Sequence, residues 1–442
     1  MSKNSELTLK KLQEAVAGTA AAFRCRTEYQ PAGGEGSAVF PPTYEGGKYA
    51  TVGYRIEDAV KDEKGTGRKL ADQVVLNSVQ AEANHMEWAL QDAWERGRLT
   101  LPVITVDFSG NELERDLRVT SLDAPHRIAD AILRDSLLGG VPFRKSELGR
   151  RLDHVDNRNA TTLFELCPTS LVFGMWDSTG PKGGLGAKFQ RAIVSEIVGL
   201  GIQIGVRTES RIDPAAIKKE SAVLYRNADP NGIPWTEYPD KAVDELDKKG
   251  KPTGKKLLYG KSKKKDVYHN PEDNSFPDAG RPSVANHGNV MPTIDEYGGV
   301  TMERAVQTTV LSLAALRRLR FPLKAGERSD FEIDRAAQTA LAALGLCAAV
   351  LTRELGCDLR SRCQLFPIET IVWELLDKPG SEPERFEITG EQAITLFNDT
   401  IQEAKGKKLP WREEELILQP SPELVELVRR SQQLAASAEE AE

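Results

Sequence analysis

The alternation of apolar and polar positions predicts a first strand over residues 21–29, AAFRCRTEY. Apolar residues at helical spacing predict a helix from Leu70 to Trp94, with its polar members in the first half. Leu101 to Phe108 has the composition of a short strand. Pro125 to Leu138 is typical of a helix whose arginines, Arg127 among them, face solvent.

The last part of the chain has the opposite order, a helix followed by a strand. Phe331 to Leu355 is an Ala- and Leu-rich stretch that predicts a long helix, ended by Gly356 in the usual capping position. Leu359 to Phe366 then predicts one strand, and a polar helix begins at Pro422. A strand and helix at each end, with further strands between them, indicate an α+β fold. The order is compatible with an RRM-type or ferredoxin-like βαββαβ sheet divided by insertions.

A glycine-rich loop from Thr179 to Ala187 interrupts the central stretch, 170–204. The apolar run Leu171 to Trp176 predicts a strand before the loop, and a second β-rich run follows it to Ile204. Lys182, Lys188 and Arg191 lie in and just after the loop, where glycine backbone can approach an anion closely. A surface loop with solvated lysines explains the pattern equally well. A nucleotide P-loop is excluded because no Lys-Ser or Lys-Thr pair follows Gly186.

Charge is segregated along the chain. The formal net charge is −7, yet nine lysines and no acid occur between Lys248 and Lys265. This run belongs to a segment, 213–297, that is poor in aliphatic residues and reads as an insertion without a core of its own. Its short β-like pieces, 222–226 and 256–260, suggest a hairpin. A mobile, solvated segment is the alternative, and the acidic C-terminal tail has the opposite charge.

The remaining composition narrows the class of protein. Five cysteines without C-x-x-C spacing favour a reducing compartment and buried thiols. Five scattered histidines form no metal-ligand pair, so neither a metal nor a cofactor is expected. The N-terminal stretch has no signal-peptide apolar core and no run of eighteen apolar residues occurs. We therefore expect a cytoplasmic protein that does not bind a membrane.

Several blocks of sequence together resemble one family, the RAMP-superfamily backbone subunit of the type I-U (I-G) CRISPR Cascade effector, a divergent member of the "Cas seven" group. The similarity extends from the first strand to Pro367, and neither the basic insertion nor the acidic tail carries a family pattern. The blocks are LNSVQAEANHMEWAL (76–90), LDAPHRIADAILRDS (122–136), SLVFGMWDSTGPKGGLGAKFQRAIVSEIVG (170–199), TVLSLAALRRLRFP (309–322) and CDLRSRCQLFP (357–367).

This resemblance implies a non-catalytic, RNA-binding subunit of an antiviral ribonucleoprotein. Copies would stack along the CRISPR RNA and present it for pairing with target DNA, beside other Cascade subunits and a recruited nuclease-helicase. It also implies an RRM-like palm over 20–212 and 298–376 with a helical insertion near 110–165. The segment 213–297 is then a candidate β-hairpin thumb, and 377–442 a C-terminal extension.

The residues expected to contact RNA come from four places. Matching to the family selects the loop after the first strand and the start of the first helix, where helix N–H groups favour phosphate. The glycine-rich loop and the arginines after the Val306–Leu316 run supply further cations. The full set is Gly46, Gly47, Lys48, Ser78, Gln80, Asn84, Lys182, Lys188, Arg191, Arg317 and Arg318.

An aspartate-dependent RAMP endoribonuclease is the competing function. Related subunits cut RNA with a loop aspartate, and Asp177 is the residue at the matching place in this chain. However, Asp177 precedes Ser178 and Thr179, an arrangement that commonly forms an Asx turn. A small-molecule phosphate enzyme, suggested by the glycine loop alone, is the third reading.

Overall fold

The computed structural model describes residues 5–61, 67–179, 187–218, 220–262, 265–288, 290–295, 297–324 and 326–439. The chain forms two compact units. Unit 1 comprises Met1–Gly205 with Gly299–Glu426, and unit 2 comprises Val206–Gly298 with Leu427–Glu442.

The helices range from single turns to one of six turns. They are α1 (Leu9–Ala17), α2 (Val79–Glu95), α3 (Ala131–Arg134), α4 (Glu147–Arg150), α5 (Thr161–Leu166), α6 (Thr169–Val172), α7 (Leu313–Leu316), α8 (Phe331–Glu354), α9 (Gly390–Gly406) and α10 (Pro422–Glu439).

The strands fall into three runs along the chain. In the first part of unit 1 they are β1 (Ala22–Pro31), β2 (Thr51–Lys61), β3 (Gly67–Asn77), β4 (Ile104–Asp107), β5 (Arg118–Thr120), β6 (Ser136–Leu138), β7 (Val141–Pro142), β8 (Met175–Trp176), β9 (Lys188–Phe189), β10 (Ile193–Leu200) and β11 (Gln203–Ile204). In unit 2 they are β12 (Arg207–Arg211), β13 (Tyr225–Arg226), β14 (Trp235–Thr236), β15 (Asp244–Leu246), β16 (Pro252–Ser262), β17 (Lys265–His269) and β18 (Val290–Asp295). In the second part of unit 1 they are β19 (Val300–Thr301), β20 (Arg304–Ser312), β21 (Cys357–Arg360), β22 (Cys363–Pro367), β23 (Trp373–Leu376), β24 (Glu384–Phe386) and β25 (Leu416–Pro420).

The main sheet of unit 1 has the order β2-β3-β10-β20-β1-β22-β21, and β23 also pairs with β1 and carries β24. Every pairing in this sheet is antiparallel. The first strand that the sequence predicts is therefore confirmed as β1, at the centre of the sheet. The α+β class is also confirmed, since helices and antiparallel strands are mixed along the chain.

One face of this sheet is covered by helices. Phe23 and Cys25 of β1 are fully buried, whereas the intervening Arg24 is half-buried, as expected for alternation on a half-covered strand. Leu311 of β20 lies opposite both Phe23 and Ile193, and all three are buried. Helix α8 packs on β20, α2 packs on β10, and the two helices contact each other. They therefore lie side by side over the same face.

Helix α8 is the core helix of unit 1. Asp330 caps its N-terminus through hydrogen bonds from the backbone N–H groups of residues 332 and 333, and Gly356 follows its end with a φ of +90°. The predicted helix and its glycine stop are thus confirmed. By length and composition α8 could cross a bilayer, but 89% of its most apolar window is buried inside the protein. This burial is that of a core helix.

The helix predicted from Leu70 to Trp94 is wrong in its first third. The chain is in β3 as far as Asn77, and α2 begins at Val79. The β-branched Val74 and Val75 pair with β10, where their side chains are buried. Ser78 then starts α2, because its Oγ accepts a hydrogen bond from the backbone N–H of Ala81.

Three other predicted elements are corrected. Pro125 to Leu138 is not one helix but a 3₁₀ turn, the single-turn α3 and the strand β6. The predicted strand Leu171 to Trp176 is the end of α6 followed by the two-residue β8. Leu359 to Phe366 is a hairpin, β21 and β22, which turns at Arg362 with a φ of +61°. In each case tertiary pairing overrides a short apolar run whose periodicity is ambiguous.

A second sheet of unit 1 has the order β5-β4-β25-β6-β7. Strand β25 lies parallel to β4 and antiparallel to β6. The segment after residue 377 thereby returns to a part of the chain about 300 residues earlier in sequence, and α9 packs on α8. The short strand predicted from Leu101 to Phe108 is confirmed as β4, between β5 and β25.

Unit 2 has a small core, so the expectation that this segment lacks one is wrong. Its sheet has the order β14-β13-β16-β15, with β17 also paired to β16, and β12 pairs separately with β18. Tyr225 and Leu258 pack in one buried cluster, and Leu224 and Tyr259 in another. Alternate residues of β13 and β16 thus face opposite sides of the sheet, which lets few apolar residues form two thin layers.

Candidate nucleic-acid interface

A two-stranded ribbon frames the glycine-rich loop. In its register Met175 lies opposite Phe189 and Trp176 lies opposite Lys188. Met175 and Phe189 are 8% and 5% exposed, whereas Trp176 is 60% exposed and Lys188 is also exposed. The Lys188 ammonium lies 5.8 Å from the centre of the Trp176 ring. The ribbon therefore has one buried apolar face and one exposed face that carries an aromatic ring beside a cation.

Further cations lie next to this ribbon. Arg191 is exposed, and Gln190 accepts a hydrogen bond of 3.3 Å from an Nη atom of the exposed Arg318. The fold thereby brings Arg318 to the surface that carries Lys188 and Arg191, although more than 120 positions separate it from either residue in the sequence. We call Trp176, Lys188, Gln190, Arg191 and Arg318 the ribbon surface. Lys182, the other predicted cation of the loop, lies outside the described residues.

Arg127 anchors the chain segment that enters the ribbon. Its guanidinium donates two hydrogen bonds to the Glu87 carboxylate, of 2.7 and 2.6 Å, and one of 2.9 Å to the carbonyl of Gly174. Both side chains of the pair are buried. Burial raises the pKa of the Glu87 carboxyl from 4.5 to about 7, although the Arg127 charge opposes that rise. The expectation that Arg127 faces solvent is wrong, because it ties α2 to the chain that enters β8.

Gly174 is required at that entry by close packing. Its φ is +86°, and a Cβ there would lie 3.1 Å from both the Phe189 carbonyl oxygen and the Arg191 side chain. The Ala192 N–H donates to the Val172 carbonyl on the other side of the ribbon. Phe189 and Ile193 are buried, at 5% and 1% exposure.

Asp177 ends β8 and is held in place by its neighbours. One carboxylate oxygen lies 2.8 Å from an Nη atom of Arg144, and the other accepts a hydrogen bond of 3.2 Å from the Thr179 N–H. The predicted Asx turn is therefore confirmed, and the side chain is 5% exposed. Both oxygens are engaged in structural contacts. Among the residues that the structure describes, no group of three His, Cys, Asp or Glu side chains could hold a metal ion.

The predicted residues of α2 divide between a cap and an exposed face. Ser78 uses its Oγ to cap the helix, while Gln80 and Asn84 are exposed one turn apart. On the opposite side of the helix, Glu82 is 2% exposed and accepts hydrogen bonds from Asn77, Ser195 and Gln307. This buried network fixes the rotation of α2 and so keeps Gln80 and Asn84 outward.

The other predicted residues have different surroundings. Gly46 and Gly47 are exposed with φ of +78° and +72°, in a turn closed by a hydrogen bond from the Tyr44 N–H to the Lys48 carbonyl. Lys48 is exposed as well. Arg317 instead donates hydrogen bonds to the carbonyls of Ala15 and Val16 at the end of α1 and of Ala20 just after it, and burial lowers the pKa of its guanidinium. Its guanidinium thus caps a helix end.

Sequence reasoning missed Trp176, the Arg127–Glu87 pair and the Glu82 network. Trp176 ends the apolar run that predicts a strand, and a ribbon with only two residues in each strand cannot be recognised from periodicity. Glu82 and Glu87 are acids on a helix that is otherwise apolar on its inner side. That placement was the available signal, since a buried carboxylate requires donors or a cation.

The comparisons with known proteins concern the part of the chain that contains this site. Residues 23–204 match the family model described as CRISPR-associated protein GSU0053, which is less than half of the chain. No curated protein matches it. The matched residues include β1, α2, the β8–β9 ribbon and β10. Over these residues the chain is therefore similar to a CRISPR-associated protein family.

Proposed function

We propose that the protein is a non-catalytic backbone subunit of a type I CRISPR effector, of the I-U (I-G) subgroup, and that it binds the CRISPR RNA through the ribbon surface. The observation that carries this proposal is the convergence of Lys188, Arg191 and Arg318 beside an exposed tryptophan. Adjacent cations and an exposed ring match the phosphates and bases of a single strand. This local concentration also reconciles RNA binding with a net charge of −7.

The strand order supports an RRM-type or ferredoxin-like palm. Four strands of the main sheet occur along the chain in the order β1, β10, β20 and β22. Helix α2 lies between the first two of these strands, and α8 lies between the last two. In space their order is β10-β20-β1-β22. This order supports the split βαβ arrangement of a βαββαβ fold, with the β2–β3 hairpin added at one edge.

Unit 2 is the candidate thumb in this proposal. It leaves unit 1 after Gly205 and returns at Gly299, two residues joined by a backbone hydrogen bond of 2.9 Å. Copies of the chain would stack along the RNA through a heterologous interface, which generates an open array. Target DNA, other Cascade subunits and a recruited nuclease-helicase complete the expected partners, and the cytoplasm is the expected compartment.

Salt-dependent RNA binding tests the proposal. Lys188→Ala and Arg318→Ala should each weaken binding of an unstructured RNA and reduce the slope of log affinity against log salt by about 0.7. Lys324→Ala is the matched control, because that lysine is highly exposed and its recorded ion pair, with Glu327, is long at 3.7 Å. Unchanged affinity and slope in both variants, with wild-type behaviour in the control, would remove the ribbon surface from the RNA path.

Assembly gives a second readout. Without RNA the protein should sediment as a monomer, and with an RNA of guide length as a particle of several copies. A closed dimer that forms without RNA would contradict the backbone role, since a twofold interface buries the surfaces that an open array needs for its next copy.

A further inference from the structure

We infer that Trp176 is a stacking platform for an unpaired nucleobase, so that the ribbon surface selects single-stranded over double-stranded RNA. This inference rests on the proposed function. The inference adds to the proposed function a residue that contacts bases, whereas Lys188, Arg191 and Arg318 supply positive charge for phosphates.

The Trp176 ring is exposed and yet held in position. Its backbone is paired with that of Lys188, and its neighbour Met175 is buried against the fold. The next residue, Asp177, is fixed by Arg144 and by its own Asx turn. A ring on such a support loses little conformational entropy when a ligand covers it.

The surroundings of the ring favour a nucleobase over a peptide. Lys188 lies 5.8 Å from the ring centre, and Arg191 and Arg318 are exposed nearby in the same surface. A base carries both a π face for the ring and, through its sugar, a phosphate for the cations, and stacking of this kind is tolerant of sequence. Each base of a duplex is already stacked on both faces, so a duplex offers Trp176 no free face except at its ends.

Two matched substitutions distinguish stacking on the aromatic ring from contact with an apolar side chain of any kind. Trp176→Leu keeps an apolar side chain but removes the π face, and Trp176→Phe keeps a ring. Trp176→Leu should weaken binding of an unstructured single-stranded RNA about 5- to 100-fold, while the salt slope stays that of the wild type because no phosphate contact is lost. Trp176→Phe should retain most of the affinity. The wild type should bind the same RNA annealed to its complement more weakly than the single strand.

Fluorescence provides a readout that a change of fold would not imitate. Stacking should quench tryptophan emission in the wild type, and the quenched component should be absent from Trp176→Phe. Far-ultraviolet circular dichroism and the thermal midpoint of each variant show that it folds.

The outcomes distinguish this inference from the proposed function. If the wild type does not bind RNA, the proposed function fails. If RNA binds and Lys188→Ala lowers the salt slope but Trp176→Leu binds like the wild type, only the stacking role is wrong. Equal binding of single and double strands, or equal loss in the Phe and Leu variants, also overturns the stacking role.

Discussion

The Arg127 guanidinium and the Glu87 carboxylate form a buried ion pair that joins α2 to the entrance of the β8–β9 ribbon. Two N–H groups of Arg127 lie 2.7 and 2.6 Å from the two carboxylate oxygens, and a third donates to Gly174. The arginine also lies 5.4 Å from the centre of the Phe173 ring and has a φ of +54°. A strained backbone and a buried charge thus occur together at the base of the proposed RNA-binding surface.

The first prediction is a pH dependence of stability that originates at Glu87. Its pKa in the folded protein, about 7, lies above the ordinary 4.5, so the folded state binds a proton that the unfolded chain releases between these values. The stability contributed by Glu87 is therefore complete below pH 4.5 and is lost as the pH rises through about 7. In urea titrations, the free energy of unfolding of the wild type should fall relative to that of Glu87→Gln across this window.

Parallel pH profiles of the wild type and Glu87→Gln would show that the pKa of Glu87 is the same in the folded and unfolded states. Arg127→Met is the complementary variant. It should destabilise the protein by about 1–3 kcal/mol at neutral pH, because it leaves the buried Glu87 carboxyl and the Gly174 carbonyl without their donor.

The second prediction concerns the network around Glu82. One carboxylate oxygen accepts hydrogen bonds of 2.6 Å from both Ser195 and Gln307, and the other accepts one of 2.5 Å from Asn77. Glu82→Ala leaves these buried donors without an acceptor and should lower the free energy of unfolding by about 3 kcal/mol. Gln80→Ala, on the exposed side of the same helix, should change it by less than about 0.5 kcal/mol. Similar effects of the two substitutions would contradict this account.

The third prediction separates charge from structure in the β15–β16 hairpin of unit 2. Asp247 forms the turn by accepting hydrogen bonds from the backbone N–H groups of Lys249 and Lys251, whose side chains are exposed. Replacing Lys248, Lys249, Lys251 and Lys255 by Gln should leave the fold intact, slow association of the assembled particle with target DNA and weaken its salt dependence. The same four positions changed to Arg should behave like the wild type.

Asp247→Ala is the structural counterpart, because it removes the acceptor and keeps every lysine. It should loosen the hairpin, measured by faster amide exchange at the turn, with little loss of long-range attraction to DNA. DNA association that is unaffected by the Gln replacements would show that the lysines of this hairpin do not steer the target.

The fourth prediction is the absence of RNA cleavage at Asp177. Arg144 neutralises this carboxylate and the Asx turn occupies its other oxygen. Labelled RNA incubated with the wild type and Mg²⁺ or Mn²⁺ should therefore remain intact, and Asp177→Asn should give the same result with a lower thermal midpoint. Cleavage by the wild type that disappears in Asp177→Asn would instead establish the endoribonuclease alternative.

Long elements with one clear period were predictable from the sequence. The central strand β1 alternates over its whole length, and α8 has a capping Asp330, an apolar interior and the terminal Gly356. Local propensity and burial agree at these positions, so a local pattern is sufficient.

Short elements were not predictable because their partners are distant in sequence. The spacing of Val74 and Val75 fits a helix, but both residues pair with β10 in the sheet. The turn at Arg362 divides what looks like one strand in the sequence into β21 and β22. Arg127 has the composition of a surface residue, and only the carboxylate of Glu87, forty residues earlier, places it in the interior.

The sequence by itself thus determined the α+β class, the core helix and the family to which the chain is similar, because these depend on periodicity and on residue types in order. The tertiary structure decided which predicted cations share a surface. Lys188 and Arg318 belong to the same surface because β10 and β20 are adjacent in the sheet and Gln190 accepts a hydrogen bond from Arg318. Arg317, next in the chain, reaches the end of α1 instead. Neighbours in sequence can point in opposite directions, and only the packing of the whole unit selects which of them meets the ligand.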